Sequence, residues 1–271
     1  SKNFFNILVR EVEEGGNPKG ISMHTVTLQL ALDEGLLWKL QQNLPPDHEL
    51  QEMTEAEYFD FVKSGGADEE SFLQEYMCIA ADDDAAFLEY DLIAAAEYPQ
   101  STDWGRIEGG ELFAGVDIGR KKDLTVLWVI ERLGDVFYTR HIEALQNMTK
   151  ADQEAVIWPW MERCARTCMD ATGLGIDWAD DAQRKFGQYA VEAVTFTPRV
   201  KEALAYPVRA TMEDRKLRIP YDKAIRADLR SVTKQVSAAG NIRFTAERTP
   251  DGHADRFWAL GLAIHAATGI E

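Results

Sequence analysis

The chain has 271 residues, is 45% apolar and carries a formal net charge of −17 at pH 7. That apolar share suffices for the core of one large domain or two modest ones. No apolar run approaches the ~20 residues of a membrane span, and no charged-then-apolar leader follows Ser1, so a soluble protein is expected with neither a span nor a signal peptide.

Charge is unevenly laid along the chain. Residues 1–110 hold 6 Lys+Arg against 23 Asp+Glu, whereas residues 111–271 hold 23 of each. All the net negative charge belongs to the first segment, and so sharp a shift predicts two units, 1–110 and 111–271, meeting near Gly109-Gly110. An acidic chain argues against nucleic acid as a partner; a neutral second half does not. Cys78, Cys164 and Cys168 form no C-x-x-C pair, which leaves reduced thiols, with Cys164 and Cys168 as a packing pair and no zinc or disulfide role.

In chain order, the first segment offers a strand at Phe4–Val9 and a turn around Gly15-Gly16-Asn17-Pro18. A second strand at Ile21–Leu28 and a helix near Leu28–Leu40 come next. The pair Pro45-Pro46 breaks the chain, and acidic helices are expected over 55–63 and 69–77. Two strands and a few polar helices make a poor independent core, so this segment reads as the tail of a larger domain plus a linker. The run Asp82-Asp83-Asp84 points its acids in different directions, as a solvated loop does.

From Glu111 the pattern sharpens. Leu112–Ile118 reads as a buried strand, Gly119–Asp123 as a polar connection, Leu124–Ile130 as a second strand, and Val136–Ile142 as a third after the turn at Leu133-Gly134-Asp135. A helix over 150–165, capped by Thr149, leads to a short strand at Thr167–Asp170 and a Gly173/Gly175 turn. A helix near Trp178–Gly187 and a strand at Ala190–Phe196 complete the series. A three-stranded antiparallel meander followed by alternating helices and strands predicts an α/β fold, with parallel strands completing a mixed sheet and helices on both faces. The strand after the first crossover would lie parallel beside the first, putting Asp117 and Asp170 on neighbouring strands about 4.8 Å apart.

The last helix, predicted over 254–267 behind the turn Pro250-Asp251-Gly252, carries Trp258, Ala259, Leu262 and Ala266 three, four, seven and eleven positions after Asp255. Helical periodicity therefore puts Asp255 on the apolar stripe that faces the sheet, although an acid in a first turn is also explained by the helix dipole. Asp117, Asp170 and Asp255 each sit at the end of a core element where an apolar side chain belongs. Converging carboxylates repel and are costly to desolvate, and a divalent cation between them resolves both problems. Lys121, Lys122 and Arg256 lie beside these acids, either as phosphate contacts or as ordinary exposed cations. Residues 199–234 hold ten basic side chains, Arg215, Lys216 and Arg218 among them, against five acidic ones. This is either a phosphate-tracking stripe or a solvated face of mixed charge. Trp158-Pro159-Trp160 reads as a helix surface and core anchor rather than a base-stacking platform, and His253 as a turn or capping residue rather than a general base.

Phe113-Ala114-Gly115-Val116-Asp117-Ile118-Gly119 with Lys122-Asp123-Leu124-Thr125-Val126, then Met169-Asp170-Ala171-Thr172-Gly173, then Gly252-His253-Ala254-Asp255-Arg256-Phe257-Trp258-Ala259-Leu260, together resemble the nuclease domain of tailed-phage terminase large subunits, particularly Mu-like ones, within the RNase H-like superfamily. The resemblance covers about residues 111–268. It implies a metal-dependent endonuclease acting on double-stranded DNA during genome packaging, with two Mg²⁺ or Mn²⁺ ions. Asp117 would stand between the ions, Asp170 and Asp255 on either side, and Asp123 matches a further acid that some of these nucleases place beside the metals. It also implies the portal protein and the small terminase subunit as partners, no membrane, and a location in the host cytoplasm with transient residence at the procapsid. Upstream, Met23–Thr27 with Ala31–Leu36, and Phe72–Cys78, resemble the end of the family's ATPase domain and its linker. No G-x-x-x-x-G-K-[ST] phosphate loop occurs in the sequence, so ATP hydrolysis by that route is not expected of this chain.

Two other readings compete. Asp117-Ile118-Gly119 with Thr125, and Asp170–Gly175, are loosely similar to the phosphate motifs of actin-like and sugar-kinase ATPases, but such a fold needs a second domain and leaves an inward Asp255 unexplained. A non-catalytic docking module of the packaging machine would keep the same sheet as scaffold.

Overall fold

The structure is a computed structural model that describes residues 12, 16–65, 72–73, 75–78, 86–99, 101–119, 124–236, 242–246 and 254–269. Two compact units divide at Asp82/Asp83.

The first unit contains α1 (Leu28–Asp33), α2 (Leu36–Asn43), a 3₁₀ turn at Glu49–Glu52 and α3 (Glu55–Gly65). Leu28, Leu32, Leu37 and Phe72 form its small buried cluster. The strand expected at Ile21–Leu28 is absent. Residues 21–27 are irregular and mostly exposed, because the Thr27 hydroxyl accepts the Leu30 amide at 3.1 Å and so starts a helix at Leu28. The single helix expected over 28–40 is two, separated at Gly35, whose φ of 86° no helix accommodates. The expected strand at Phe4–Val9 and the acids Asp82–Asp84 lie outside the described residues.

The second unit opens with α4 (Tyr90–Ala96), followed by β1 (Glu111–Asp117), β2 (Thr125–Leu133) and β3 (Val136–Leu145). Then come α5 (Lys150–Met161), β4 (Arg166–Asp170), α6 (Gly175–Phe186) and β5 (Val191–Val194). The chain continues through α7 (Pro198–Glu213), β6 (Leu217–Arg218) and α8 (Lys223–Ser231) to the hairpin of β7 (Val232–Val236) with β8 (Ile242–Ala246). It ends with α9 (Asp255–Thr268). Six strands form one mixed sheet in the order β5-β4-β1-β2-β3-β6, with β1 antiparallel to β2 and parallel to β4. This is the mixed α/β sheet that the alternation of elements predicts.

Strand alternation distributes the core between two faces. Leu112, Ala114 and Val116 of β1 join Leu127, Val129 and Met169 under α5 and α6. Phe113, Trp128, Ile130 and Cys168 join α7, α8 and α9 on the other face. Trp128 is fully buried there, and its indole N–H donates to Thr139 Oγ1 at 3.1 Å. Nearly every residue of α9 is buried, so it is a central helix, enclosed rather than amphipathic. Trp158 and Trp160 serve as packing anchors: Trp158 meets Phe186 edge-on and Trp160 stacks on His141 at 4.1 Å. Cys164 and Cys168 are not a packing pair, because one packs against the α5/α6 cluster and the other belongs to the α9 face.

Residues 86–98 belong with this unit. Phe87 N donates to Val232 O, Tyr98 N to Ile219 O and Ile219 N to Ala96 O, and Leu88 and Ile93 are completely buried in the α9-side core. The compact unit therefore begins well before the composition shift at Gly109-Gly110.

Candidate metal centre

Asp117 is the last residue of β1 and Asp170 the last of β4. The parallel register pairs Val116 with Met169, so the next pair along is Asp117 with Asp170, two side chains leaving the same face of adjacent strands. That face is set by Gly115, two residues earlier. A Cβ at Gly115 would lie 2.0 Å from the carbonyl oxygen of Ala259 and 2.4 Å from the amide of Ala263. Only glycine lets α9 lie this close on β1. Ala259 is one helical turn beyond Asp255, so the same contact that fixes the helix on the strand delivers Asp255 to the strand end where Asp117 emerges.

The start of α9 carries its own constraint. Ala254 holds a left-handed conformation at φ 61° and is buried, an uncommon state for a residue with a Cβ and one concentrated at functional sites. Asp255 Oδ2 accepts the Leu124 amide at 3.1 Å, and Asp170 Oδ1 accepts the Thr172 amide at 2.9 Å. Each of these two carboxylates is thus oriented by a backbone donor. All three are buried, at 7, 6 and 7% exposure.

A residue the sequence reading counted only as one cation of a basic stripe faces this cluster. Lys201, on the first turn of α7, lies with its ammonium 4.4 Å from the centroid of Trp258 and 5.4 Å from that of Phe196. Burial lowers its pKa, while the charges of Asp117, Asp170 and Asp255 all act to raise it again. Asp117 and Asp170 end adjacent parallel strands, Asp255 starts the helix packed on β1, and all three act on this one ammonium. Three acids against one internal base leave unbalanced negative charge, which fits hard divalent cations. Among the described residues the three aspartates do not bring their oxygens within 4.8 Å of one another, so one small ion does not touch all three as the side chains stand. A pair of ions about 3.5–4 Å apart relaxes that requirement.

The remaining predicted residues divide. Lys121, Lys122, Asp123 and His253 lie outside the described residues. Arg256 is paired within the protein: its guanidinium meets Asp228 Oδ2 at 3.0 Å and its amide the same oxygen at 3.2 Å. Burial raises the pKa of Asp228, and Asp255 adds to this, while Arg256 opposes it. Arg215, Lys216 and Arg218 are far from the acids. Leu217 pairs with Phe137, which pairs with Arg132, opposite Glu111 at the start of β1. They stand at the other end of the sheet, roughly 20 Å away at about 3.3 Å per residue, with Lys216 on Asp135 at 3.2 Å.

The terminase RNaseH-like domain family model matches residues 114–267. No curated protein matches the chain in sequence. Among solved structures, the chain is similar to the large terminase nuclease from thermophilic phage G20c with bound magnesium: identity is 24%, 59% of this chain and 83% of that one are covered, and the TM-score is 0.50. It is also similar to a mutant nuclease domain of the large terminase subunit of bacterial virus Sf6 with manganese and β-thujaplicinol, at 13% identity over 66% of this chain and 98% of that one, with a TM-score of 0.52. At these identities the likeness is one of fold.

Proposed function

The chain belongs to the family of terminase RNase H-like domains, and on that premise we propose that it is a divalent-metal-dependent endonuclease that hydrolyses double-stranded DNA during phage genome packaging. The observation that supports this most directly is that Asp117, Asp170 and Asp255 lie buried at the ends of β1 and β4 and at the start of α9, the helix that packs on β1 at Gly115.

Asp117, Asp170 and Asp255 would together hold the ions. The all-oxygen donor set suits Mg²⁺ or Mn²⁺. Bound there, such ions supply an acidified water as nucleophile and stabilise the leaving 3′ oxygen. The backbone donors on Asp170 and Asp255 hold those carboxylates in place while substrate enters, so little reorganisation is asked of them at reaction. Asp123, Lys121 and Lys122 belong to the connection between β1 and β2, and we assign Asp123 as an occasional further ligand and the two lysines to the scissile phosphate. In a packaging machine the portal protein and the small terminase subunit are the expected partners and the host cytoplasm the site of action. No helix among the described residues is long and apolar enough to cross a membrane.

Plasmid DNA incubated with the chain and Mn²⁺ or Mg²⁺ should be nicked and linearised. Asp117→Asn should abolish this while leaving the fold intact by circular dichroism. Cleavage that persists in that variant, or that proceeds at full rate in excess chelator, would overturn the assignment.

A further inference from the structure

A second cluster of metal-ligating side chains lies on the same sheet face, outside the aspartate centre. Cys168 of β4 stands in register with Glu192 of β5, and His265, on the last turns of α9, reaches the same point. Cys168 Sγ is 3.4 Å from Glu192 Oε2, and His265 Nε2 is 3.2 Å from Glu192 Oε1. One ligand atom from each residue lies within 4.8 Å of the other two, and among the described residues this is the group of three that does so.

We infer that Cys168, Glu192 and His265 form a zinc-binding site, with water as the fourth ligand. Zinc bonds of about 2.3 Å to sulfur and about 2.0–2.2 Å to nitrogen and oxygen give tetrahedral ligand–ligand separations of roughly 3.3–3.8 Å. The His265–Oε1 edge, at 3.2 Å, already fits, and the Cys168 sulfur, 3.4 Å from the other oxygen of the same carboxylate, belongs to a set whose ligand atoms lie within 4.8 Å of one another, so a metal could enter with a modest rotation of the Glu192 carboxylate. The ligand types matter as much as the spacing. A thiolate and an imidazole favour Zn²⁺ or Co²⁺ over Mg²⁺, whereas the aspartate centre offers oxygen alone. Glu192 would ligate through Oε1, on the His265 side, while Oε2 stays with the guanidinium of Arg166, which pairs with it and orients the ligand. Binding replaces the Cys168 thiol proton, which leaves to solvent, by the metal. An entry path exists, because the His265 and Glu192 side chains are 36 and 35% exposed while Cys168 is fully buried behind them.

The position gives the site a structural role. It joins β4, β5 and the C-terminal end of α9. Cys168 lies two residues before Asp170, and α9 carries Asp255 at its other end. A bound zinc clips together the elements that hold two of the three aspartates without touching the reaction.

Titration of the full chain with Co²⁺ as probe should produce a thiolate-to-cobalt charge-transfer band in the near ultraviolet. Cys168→Ala should abolish the band, His265→Gln should weaken Co²⁺ binding at least about tenfold, and Asp117→Asn should leave the band unchanged. That last arm separates this site from the aspartate centre, so either can fail alone. A thermal melt of Cys168→Ala close to that of the parent shows that loss of the band is loss of a ligand. Absence of the band in the parent chain at saturating Co²⁺, or its persistence in Cys168→Ala, would overturn the proposal.

Discussion

Lys201 is the side chain whose removal tests the charge balance of the aspartate centre. Its ammonium partly neutralises three carboxylates and must coexist with, or yield to, incoming dications. Replacing it by methionine keeps much of the packing against Trp258 and Phe196 and deletes one opposing positive charge. Unit charges several ångströms apart at an effective dielectric near 20 interact by a few kcal/mol before screening. Lys201→Met should therefore tighten Mn²⁺ binding by about tenfold or more, read from the metal concentration that half-saturates the thermal shift, and lower the stability of the metal-free protein. Glu131 is the counterpart in the scaffold. Burial alone would push its pKa up, but the amides of Glu108 and Gly110 and the Arg140 guanidinium, 2.6 Å away, outweigh that and hold it below the ordinary value. A carboxyl depressed in the folded state adds stability above its unfolded pKa, near 4.3, and loses it as pH falls through the folded value. The chain should thus lose stability on acidification below about pH 4–5, and Glu131→Gln should flatten that acid limb. It should also cost about 2–3 kcal/mol at neutral pH, because the buried Arg140 loses its closest carboxylate and keeps Glu108 at 3.5 Å and the Trp104 carbonyl. A denaturant midpoint series against pH measures both effects.

At the scale of elements, β1, β4 and α9 do the positioning, and they were also the most legible part of the sequence. Their apolar runs are continuous, their acids interrupt them at the ends, and neighbouring parallel strands with a helix across them leave little freedom in where those acids go. What the sequence hid was non-local. Residues 197–249 contain Pro207 inside α7, short helices with mixed charge and a two-stranded hairpin, so composition showed a basic stripe while the fold turned one lysine inward and sent Arg215, Lys216 and Arg218 to the far end of the sheet. Arg256, beside Asp255 in sequence, turns to Asp228, a pairing between α8 and α9 that no spacing announces. The Cys168–Glu192–His265 cluster spans three elements for the same reason. Gly115 stands between these two cases: its presence before Asp117 was visible, its cause was not. Gly115→Ala would drive a Cβ into backbone atoms of α9 that no rotamer change can move aside. We expect a loss of at least about 3 kcal/mol, at the upper end for overpacked cores. DNA cleavage should fall with it, although the new methyl group touches no ligand; a melting point within a few degrees of the parent would contradict the close approach.

Over the whole molecule, the acidic composition of residues 1–110 and the physical boundary between units part company. Charge follows exposed surface, whereas a folding unit follows burial, and the stretch 86–98 is acidic in part yet packed. Phe87, Leu88 and Ile93 are at most 3% exposed within the core that α9 shares, and burying each such side chain contributes about 1.5–3 kcal/mol. Glu97 adds a bidentate pair with Arg226, at 3.0 and 2.6 Å, in which both side chains are nearly inaccessible. Removing the glutamate would strand a buried guanidinium at a cost of about 3–5 kcal/mol. Together these losses are comparable to the ~5–15 kcal/mol by which a typical domain is stable. Two truncations separate the alternatives. A chain starting at Asp83 keeps the contacts of residues 86–98 with Ile219, β7 and α9 and should melt cooperatively near the temperature of the same unit in the full chain, with metal-dependent cleavage retained. A chain starting at Gly110, where composition changes, loses them and should be aggregation-prone, or melt without cooperativity at room temperature. Equal melting of the two would mean that the core does not depend on α4 and its flanks, and that the charge shift marks the true boundary after all.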